Sequence, residues 1–336
     1  VDFRSDNTHG AARAILDALA SASTGQVTSY GDDPLTERLR VRCSELFERE
    51  VDVVPVVTGT AGNALAVASL TPPWGAVFCH EDAHIHRDEM GAPEFYSGGA
   101  KLVPIAGARG KLTPESLARA IDNIGREGRT ARPSCVSLTQ ATEAGTVYGV
   151  EEMRALGEIA KKNNCRVHVD GARFANAVAR TNAAPADLTW RIGADVLVFG
   201  ATKNGALAAE LLVIFDRALT PELMTRWQRG GHRLSKMRFL SAQLDAYLAG
   251  GLWLRHARHA NAMAARLAKQ LNAEILQPVD ANIVFARFTA AQQQALAGKG
   301  FLFYEWPLFG EGAVRLVTGF NTTEEEVDAF ARSLPA

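Results

Sequence analysis

Two residues able to do chemistry stand at the ends of apolar runs. Lys203 follows Val196-Leu197-Val198-Phe199-Gly200, and Asp170 closes Arg166-Val167-His168-Val169. A β-branched and aromatic run ending at a glycine predicts a buried strand and then a sharp turn. Both charges then stand at the mouth of a sheet. A lysine amine placed there becomes nucleophilic when desolvation or a neighbouring cation lowers its pKa, and it condenses with carbonyls. An amine on one strand end and an acid on another match the needs of pyridoxal 5'-phosphate. The amine holds the aldehyde, and the acid keeps the pyridine nitrogen protonated.

A third feature joins them. Val53–Val57 reads as a strand, Thr58-Gly59-Thr60-Ala61-Gly62-Asn63 as a small-residue turn, and Ala64–Leu70 as a helix. Free N–H groups at such a helix start, reached past a glycine, suit a phosphate. Capping of an ordinary helix by Thr58 or Thr60 is the competing reading. His84 follows the strand-like Ala76–His80, with His86 two residues on.

The elements that must position these groups alternate. Strand-like runs at Ala76–His80, Lys101–Ile105, Cys135–Thr139, Arg166–Asp170, Val196–Phe199 and Leu211–Phe215 are interleaved with helical patterns near 114–126, 151–163 and 185–192. This predicts an α/β fold with a mostly parallel sheet, in which ligands bind beyond the carboxyl ends of the strands. Residues 1–10 read as an extended arm, and 11–245 as the large domain. Residues 246–336 read as a small α+β domain, its boundary within or beside a long helical stretch at 235–271. Its pattern is strand, strand, helix, strand, helix, ending in Ala313–Thr318 and Thr323–Ser333.

The 336 residues include 47% hydrophobic and 22% charged residues and carry a net charge of -1, ordinary values for a globular enzyme. With no basic or acidic block, neither nucleic acid nor an anionic membrane is an expected partner. No run reaches the roughly 18 apolar residues of a membrane span. Val1–Asp6 is too polar for a signal peptide, so a cytoplasmic location is expected. The missing initiator methionine suggests that the numbering begins inside the natural start. Four scattered cysteines (Cys43, Cys79, Cys135, Cys165) read as reduced, buried thiols. His256 and His259 have helical i, i+3 spacing but no carboxylate or cysteine motif beside them, so a solvated face is expected and no metal site. His168 reads as a hydrogen-bonded core histidine.

With these residues in place, the chain resembles the threonine aldolase family. The likeness runs through Arg4-Ser5-Asp6-Asn7, Tyr30-Gly31-Asp32-Asp33-Pro34, Thr58–Asn63, Ala83-His84, His168–Arg173, Thr202–Gly205, Met237-Arg238 and Val314–Val317. Leu70–Gly75, Gly91–Phe95 and Ser235–Ala242 resemble the branch that contains bacterial phenylserine aldolase and a low-specificity threonine aldolase. The resemblance implies the aspartate-aminotransferase type of fold and pyridoxal 5'-phosphate held by Lys203. Asp170 would pair with the ring nitrogen, Gly59 and Thr60 with the phosphate, and His84 with the ring face. Ser5, Arg173 and Arg315 would grip the substrate carboxylate, Arg173 also facing the cofactor. Arg238 would reach the cofactor phosphate of a neighbouring subunit, making the active unit a homodimer or homotetramer.

The expected reaction is cleavage of an L-β-hydroxy-α-amino acid (phenylserine, threonine or allo-threonine) to glycine and an aldehyde. His84 is the leading candidate for the base at the β-hydroxyl, acting directly or through water, with His86 and Glu143 as the alternatives. Glu143 stands where many family members carry a second histidine. β-Elimination or transamination on the same fold, and a non-catalytic protein that binds the cofactor, are the rival readings. A dinucleotide dehydrogenase is disfavoured because no G-x-G-x-x-G follows the early strands.

Overall fold

The computed structural model describes residues 1–125 and 129–335. Residue 126, the end of the helix expected at 114–126, and residue 336, the end of the expected small domain, lie outside the described residues. Seven strands form the large sheet: β1 (Asp52–Val56), β2 (Gly75–His80), β3 (Lys101–Ile105), β4 (Arg132–Thr139), β5 (Arg166–Gly171), β6 (Val196–Gly200) and β7 (Glu210–Ile214). Their spatial order is β1-β7-β6-β5-β4-β2-β3. β7 is antiparallel to β1 and β6, while the other strands run parallel. Residues 196–200 and 210–214 are buried throughout. Helices on both faces leave no polar side, which is why these strands, Glu210 apart, are continuously apolar instead of alternating.

Register decides which residues share a face. Asp170 pairs with Val198, and Val198 with Leu212, so these three side chains point the same way. Two residues back along β7, Glu210 pairs with Gly200 and Val56 and therefore lies on the Asp170 face. The helix Gly59–Leu70 packs on this face. It is buried nearly all round and built of small residues. A Cβ at Gly62 would stand 2.7 Å from Val198, so this glycine lets the helix lie against the sheet.

The second sheet joins β8 (Glu274–Ile275), β9 (Ile283–Arg287), β10 (Tyr304–Glu305) and β11 (Ala313–Val317) in the order β10-β11-β9-β8. The N-terminal arm belongs to it. The Phe3 N–H donates to Leu302 O and the Val317 N–H to Phe3 O, each at 2.8 Å. The buried Phe3 ring meets Phe330 edge-on at 5.1 Å. Burying such a ring contributes roughly 1.5–3 kcal/mol, enough to anchor the arm whose next residues, Ser5 and Asn7, line a cavity at the sheet edge.

Several elements differ from the sequence expectations. The stretch 235–271 is two helices, Arg238–Leu248 and Leu252–Gln270, because Gly250 (φ 56°) and Gly251 (φ 71°) adopt left-handed conformations that end the first. Residue 246 falls inside the first of them. Residues 185–192 form two 3₁₀ turns, split at Thr189, whose φ of -134° is not helical. Helices Ala92–Ser97, Phe174–Thr181 and Thr220–Arg229 and the strand β10 were not anticipated. The arm is extended only at its start and makes a 3₁₀ turn at Asp6–Thr8.

Candidate active site

The ligand edge of the large sheet gathers the expected groups. A cavity of about 280 Å³ is lined by Gly59, Thr60, His84, Asp170, Arg173 and Lys203. A second, of about 350 Å³, adds Ser5 and Arg315 and shares His84, Glu143, Arg173 and Lys203 with the first.

Lys203 sits on a 3₁₀ turn, Thr202–Asn204, between β6 and β7. The turn is held from several sides. The Ala201 N–H donates to Glu210 Oε2 (2.7 Å) and the Ala209 N–H to Thr202 Oγ1 (3.1 Å). Asn204 Nδ2 donates to the Tyr247 hydroxyl (2.7 Å) and to Trp253 O (2.8 Å). Gly205 closes the turn at φ 110°, where a Cβ would meet His256 at 2.9 Å. Burial lowers the lysine pKa and the Arg173 cation reinforces this, while Asp6, Asp170 and Glu210 pull it back.

Asp170 is buried, and both oxygens are committed. Oδ1 accepts the Ala172 N–H at 3.0 Å, and Oδ2 accepts Asn63 Nδ2 at 2.9 Å. Asn63 Nδ2 also donates to Glu89 Oε1 (2.7 Å), which pairs with His84 Nδ1 (2.8 Å). One network therefore orients the acid and the imidazole. The Glu89 hydrogen bond raises the His84 pKa above its usual value, and burial raises that of Glu89 itself.

Thr58 Oγ1 caps the helix by accepting the Ala61 N–H at 3.1 Å. The capping reading of Thr58 is thus correct, and it is compatible with an anion site. A Cβ at Gly59 would meet nothing within 4 Å, so the backbone at this helix start is open toward the cavity. A cradle at one end, an oriented acid, an imidazole and a desolvated amine fit pyridoxal 5'-phosphate. Gly59 and Thr60 would hold its phosphate, Asp170 the ring nitrogen, His84 the ring face and Lys203 the aldehyde.

The second cavity carries the cations. Arg315, on β11, has Nη2 on Arg4 O (3.1 Å) and lies over Trp306 (4.5 Å) and Tyr304 (5.4 Å). Its Nε is buried without a partner, and burial, aided by Arg173, lowers its pKa to about 10. A buried, partly unsatisfied guanidinium calls for an anion. Arg173 is already engaged by Asp6, with Nε on Oδ2 (2.8 Å) and Nη2 on Oδ1 (2.9 Å). Asn282 Nδ2 adds a third bond to Asp6 at 3.0 Å. Although burial works to raise it, the Arg173 and Lys203 cations hold the Asp6 carboxyl below its usual range.

Glu143 Oε1 accepts the His84 backbone N–H at 2.8 Å, while Oε2 is buried without a partner. Burial and the Asp170 charge push its carboxyl up to about 7. His86 is exposed and lines neither cavity. Arg238 is also outside them: Nη1 donates to Gly25 O (3.2 Å) beside an exposed groove formed by residues 25–29 and 235–238. Of the two histidines expected on a solvated face, His259 is exposed, with Nε2 on Thr322 O (2.6 Å), while His256 is half-buried with Nδ1 on Asn204 O (2.9 Å). Among the described residues no histidine, cysteine or carboxylate cluster could hold a metal. His168 is buried against the Ser137 hydroxyl at 2.9 Å. All four cysteines are buried and free.

Sequence reasoning missed Asp6, Asn63, Glu89 and Glu210 as members of the site. Asn63 lies one helical turn beyond Gly59, and Glu89 five residues beyond His84. Glu210 is a carboxylate opening an otherwise apolar strand, a placement that itself signals a special environment. At the opposite edge of the sheet, a crevice of about 520 Å³ near Arg166 and Trp190 carries only an exposed lysine, Lys161, and Arg166 there is neutralised by Asp195 and Asp216.

Residues 2–291 match a family model described as β-eliminating lyase. The chain is 39% identical to a low specificity L-threonine aldolase of Pseudomonas sp. (strain NCIMB 10558), covering 99% of this chain and 97% of that protein. It is 40% identical to the low specificity L-threonine aldolase of Pseudomonas aeruginosa, covering 99% and 96%. The solved threonine aldolase of Leishmania major superposes with a TM-score of 0.93 at 28% identity, over 98% of this chain and 97% of that one.

Proposed function

The chain belongs to the β-eliminating lyase family, among the threonine aldolases, and on that premise we propose that its paired cavities hold pyridoxal 5'-phosphate and cleave L-β-hydroxy-α-amino acids to glycine and an aldehyde, phenylserine included. The observation that carries this reading is the meeting of Lys203, Asp170 and the unsatisfied Arg315 around connected cavities. Bound there, the cofactor supplies the electron sink for the pair released from the breaking Cα–Cβ bond. The protein residues aim that bond and manage the protons.

Arg315 and the free edge of Arg173, with Ser5, bind the substrate carboxylate and so fix the rotation about Cα, using binding energy for orientation. Asp6 keeps Arg173 from turning, and the aromatic rings under Arg315 do the same for its guanidinium. The β-hydroxyl proton passes to Glu143 Oε2. His84 is less suited to receive it, since Nδ1 is committed to Glu89 and the ring is biased toward its protonated form. A carboxyl displaced to about 7 is a base only when ionised, so kcat/KM should rise as pH increases through about 7. Glu143→Gln should lose this limb and on the order of 10²-fold in rate. A variant with the wild-type rate and the same acid limb would exclude Glu143 as the base.

Ile283, Trp306, Leu308 and Phe309 form an apolar wall of the second cavity, which supports an aromatic β-substituent. Comparing kcat/KM for phenylserine, threonine and allo-threonine, with product assay, tests the whole reading. Phenylserine is expected to be cleaved to benzaldehyde and glycine at least as efficiently as threonine. Background turnover of phenylserine would remove the aromatic assignment. A keto acid and ammonia in place of glycine would remove the aldolase reading.

A further inference from the structure

Three carboxylates act on the Lys203 amine: Asp6, Asp170 and Glu210. Two of them are committed elsewhere. Asp6 is held by Arg173 and Asn282, and Asp170 by Asn63 and Ala172. Glu210 differs, because its hydrogen bonds come from the lysine's own turn. Oε2 accepts the Ala201 N–H at 2.7 Å, at the residue that opens the turn. The side chain is buried and lines the cofactor cavity together with Lys203. It reaches that edge because β7 runs opposite to its neighbours: the start of β7 lies beside the ends of β1 and β6.

We propose that Glu210 is the charge partner of Lys203, a positioning residue whose carboxylate pins the lysine turn and keeps the nitrogen of residue 203 protonated while that residue carries the cofactor. This rests on the cofactor reading given above. Lys203 forms no ion pair among the described residues, so its charge is balanced across the cavity instead of being locked to one acid. The groups facing this pair are Asp170 from β5, Arg173 just after it, His84 across the cavity, Asp6 from the arm and the Tyr247 hydroxyl from the helix Arg238–Leu248. Burial pushes Glu210 up to about 7 and lowers Lys203, so the two proton affinities approach each other.

The test is the pH titration of the visible absorption band of the cofactor-loaded enzyme, whose midpoint reports protonation at the nitrogen of residue 203. Glu210→Gln can still accept the Ala201 N–H through its amide oxygen but removes the charge. Its midpoint should fall by roughly one pH unit or more, the effect of losing an opposite charge nearby. Glu210→Asp retains the charge one methylene further away and should show a smaller fall in the same direction. A purely structural role would lower the yield of folded protein and leave the midpoint unmoved, so unchanged midpoints in both variants overturn the proposal. If Glu210→Gln does not fold, Glu210→Asp decides by the same criterion. A wild-type enzyme that develops no band with pyridoxal 5'-phosphate would instead sink the cofactor reading, and this proposal with it.

Discussion

Lys203→Ala is expected to abolish covalent retention of the cofactor and to reduce aldol cleavage by at least about 10³-fold, the scale on which loss of a covalent catalytic group is felt. The lining of the paired cavities contains one lysine. The turn that carries it is fixed by Glu210, Tyr247, Trp253 and Thr202, so neighbouring backbone will not move to bring in a substitute. Burial lowers the pKa of the amine and so favours the free base that condenses with a carbonyl. Removing a desolvated cation costs the fold little, and the variant should be recovered with normal secondary structure. Borohydride reduction followed by mass measurement is the check. A cofactor adduct on the variant, at wild-type yield, would remove Lys203 from its assigned role.

Asp170→Asn is expected to lower kcat on the order of 10³-fold, with a much smaller change in KM, because the charge it removes acts on the transition state more than on binding. The local structure sharpens this prediction. Both carboxylate oxygens of Asp170 accept hydrogen bonds, one from Ala172 N–H and one from Asn63 Nδ2. An asparagine has a single acceptor oxygen, so one of these donors must lose its partner or meet another donor. Leaving such a buried group unpaired costs about 1–3 kcal/mol, and thermal unfolding should register it independently of the kinetics. A kcat within threefold of wild type, measured on cofactor-saturated enzyme, would refute the assignment of Asp170 as the acid facing the cofactor; threefold is only about 0.7 kcal/mol of transition-state stabilisation.

The groups most legible in the sequence were those whose placement is local. Lys203 comes three residues after a strand-ending glycine, Asp170 closes its own apolar run, and Thr58–Thr60 opens its own helix. A strand, a turn and a charge within ten residues need no knowledge of the rest of the chain. His86 was ambiguous for the complementary reason. It lies two residues from His84 on the short helix His84–Arg87, and only the direction of that helix against the sheet shows that it faces solvent. The long helix at 235–271 was misjudged because its apolar spacing persists across Gly250–Gly251, and spacing alone does not report a left-handed backbone.

By itself, the sequence determined an α/β chain with an amine, an acid and an anion-ready turn at strand ends, because strand, turn and helix signals act over a few residues. The tertiary structure decided which further groups join them. Asp6 reaches Arg173 from 167 positions away, Asn63 reaches Asp170 from 107, and Glu210 enters because β7 is reversed and in register with Gly200. Such contacts depend on strand order, register and the close approach of a helix at Gly62. These are set by packing the whole core at once, and no local window of residues contains them.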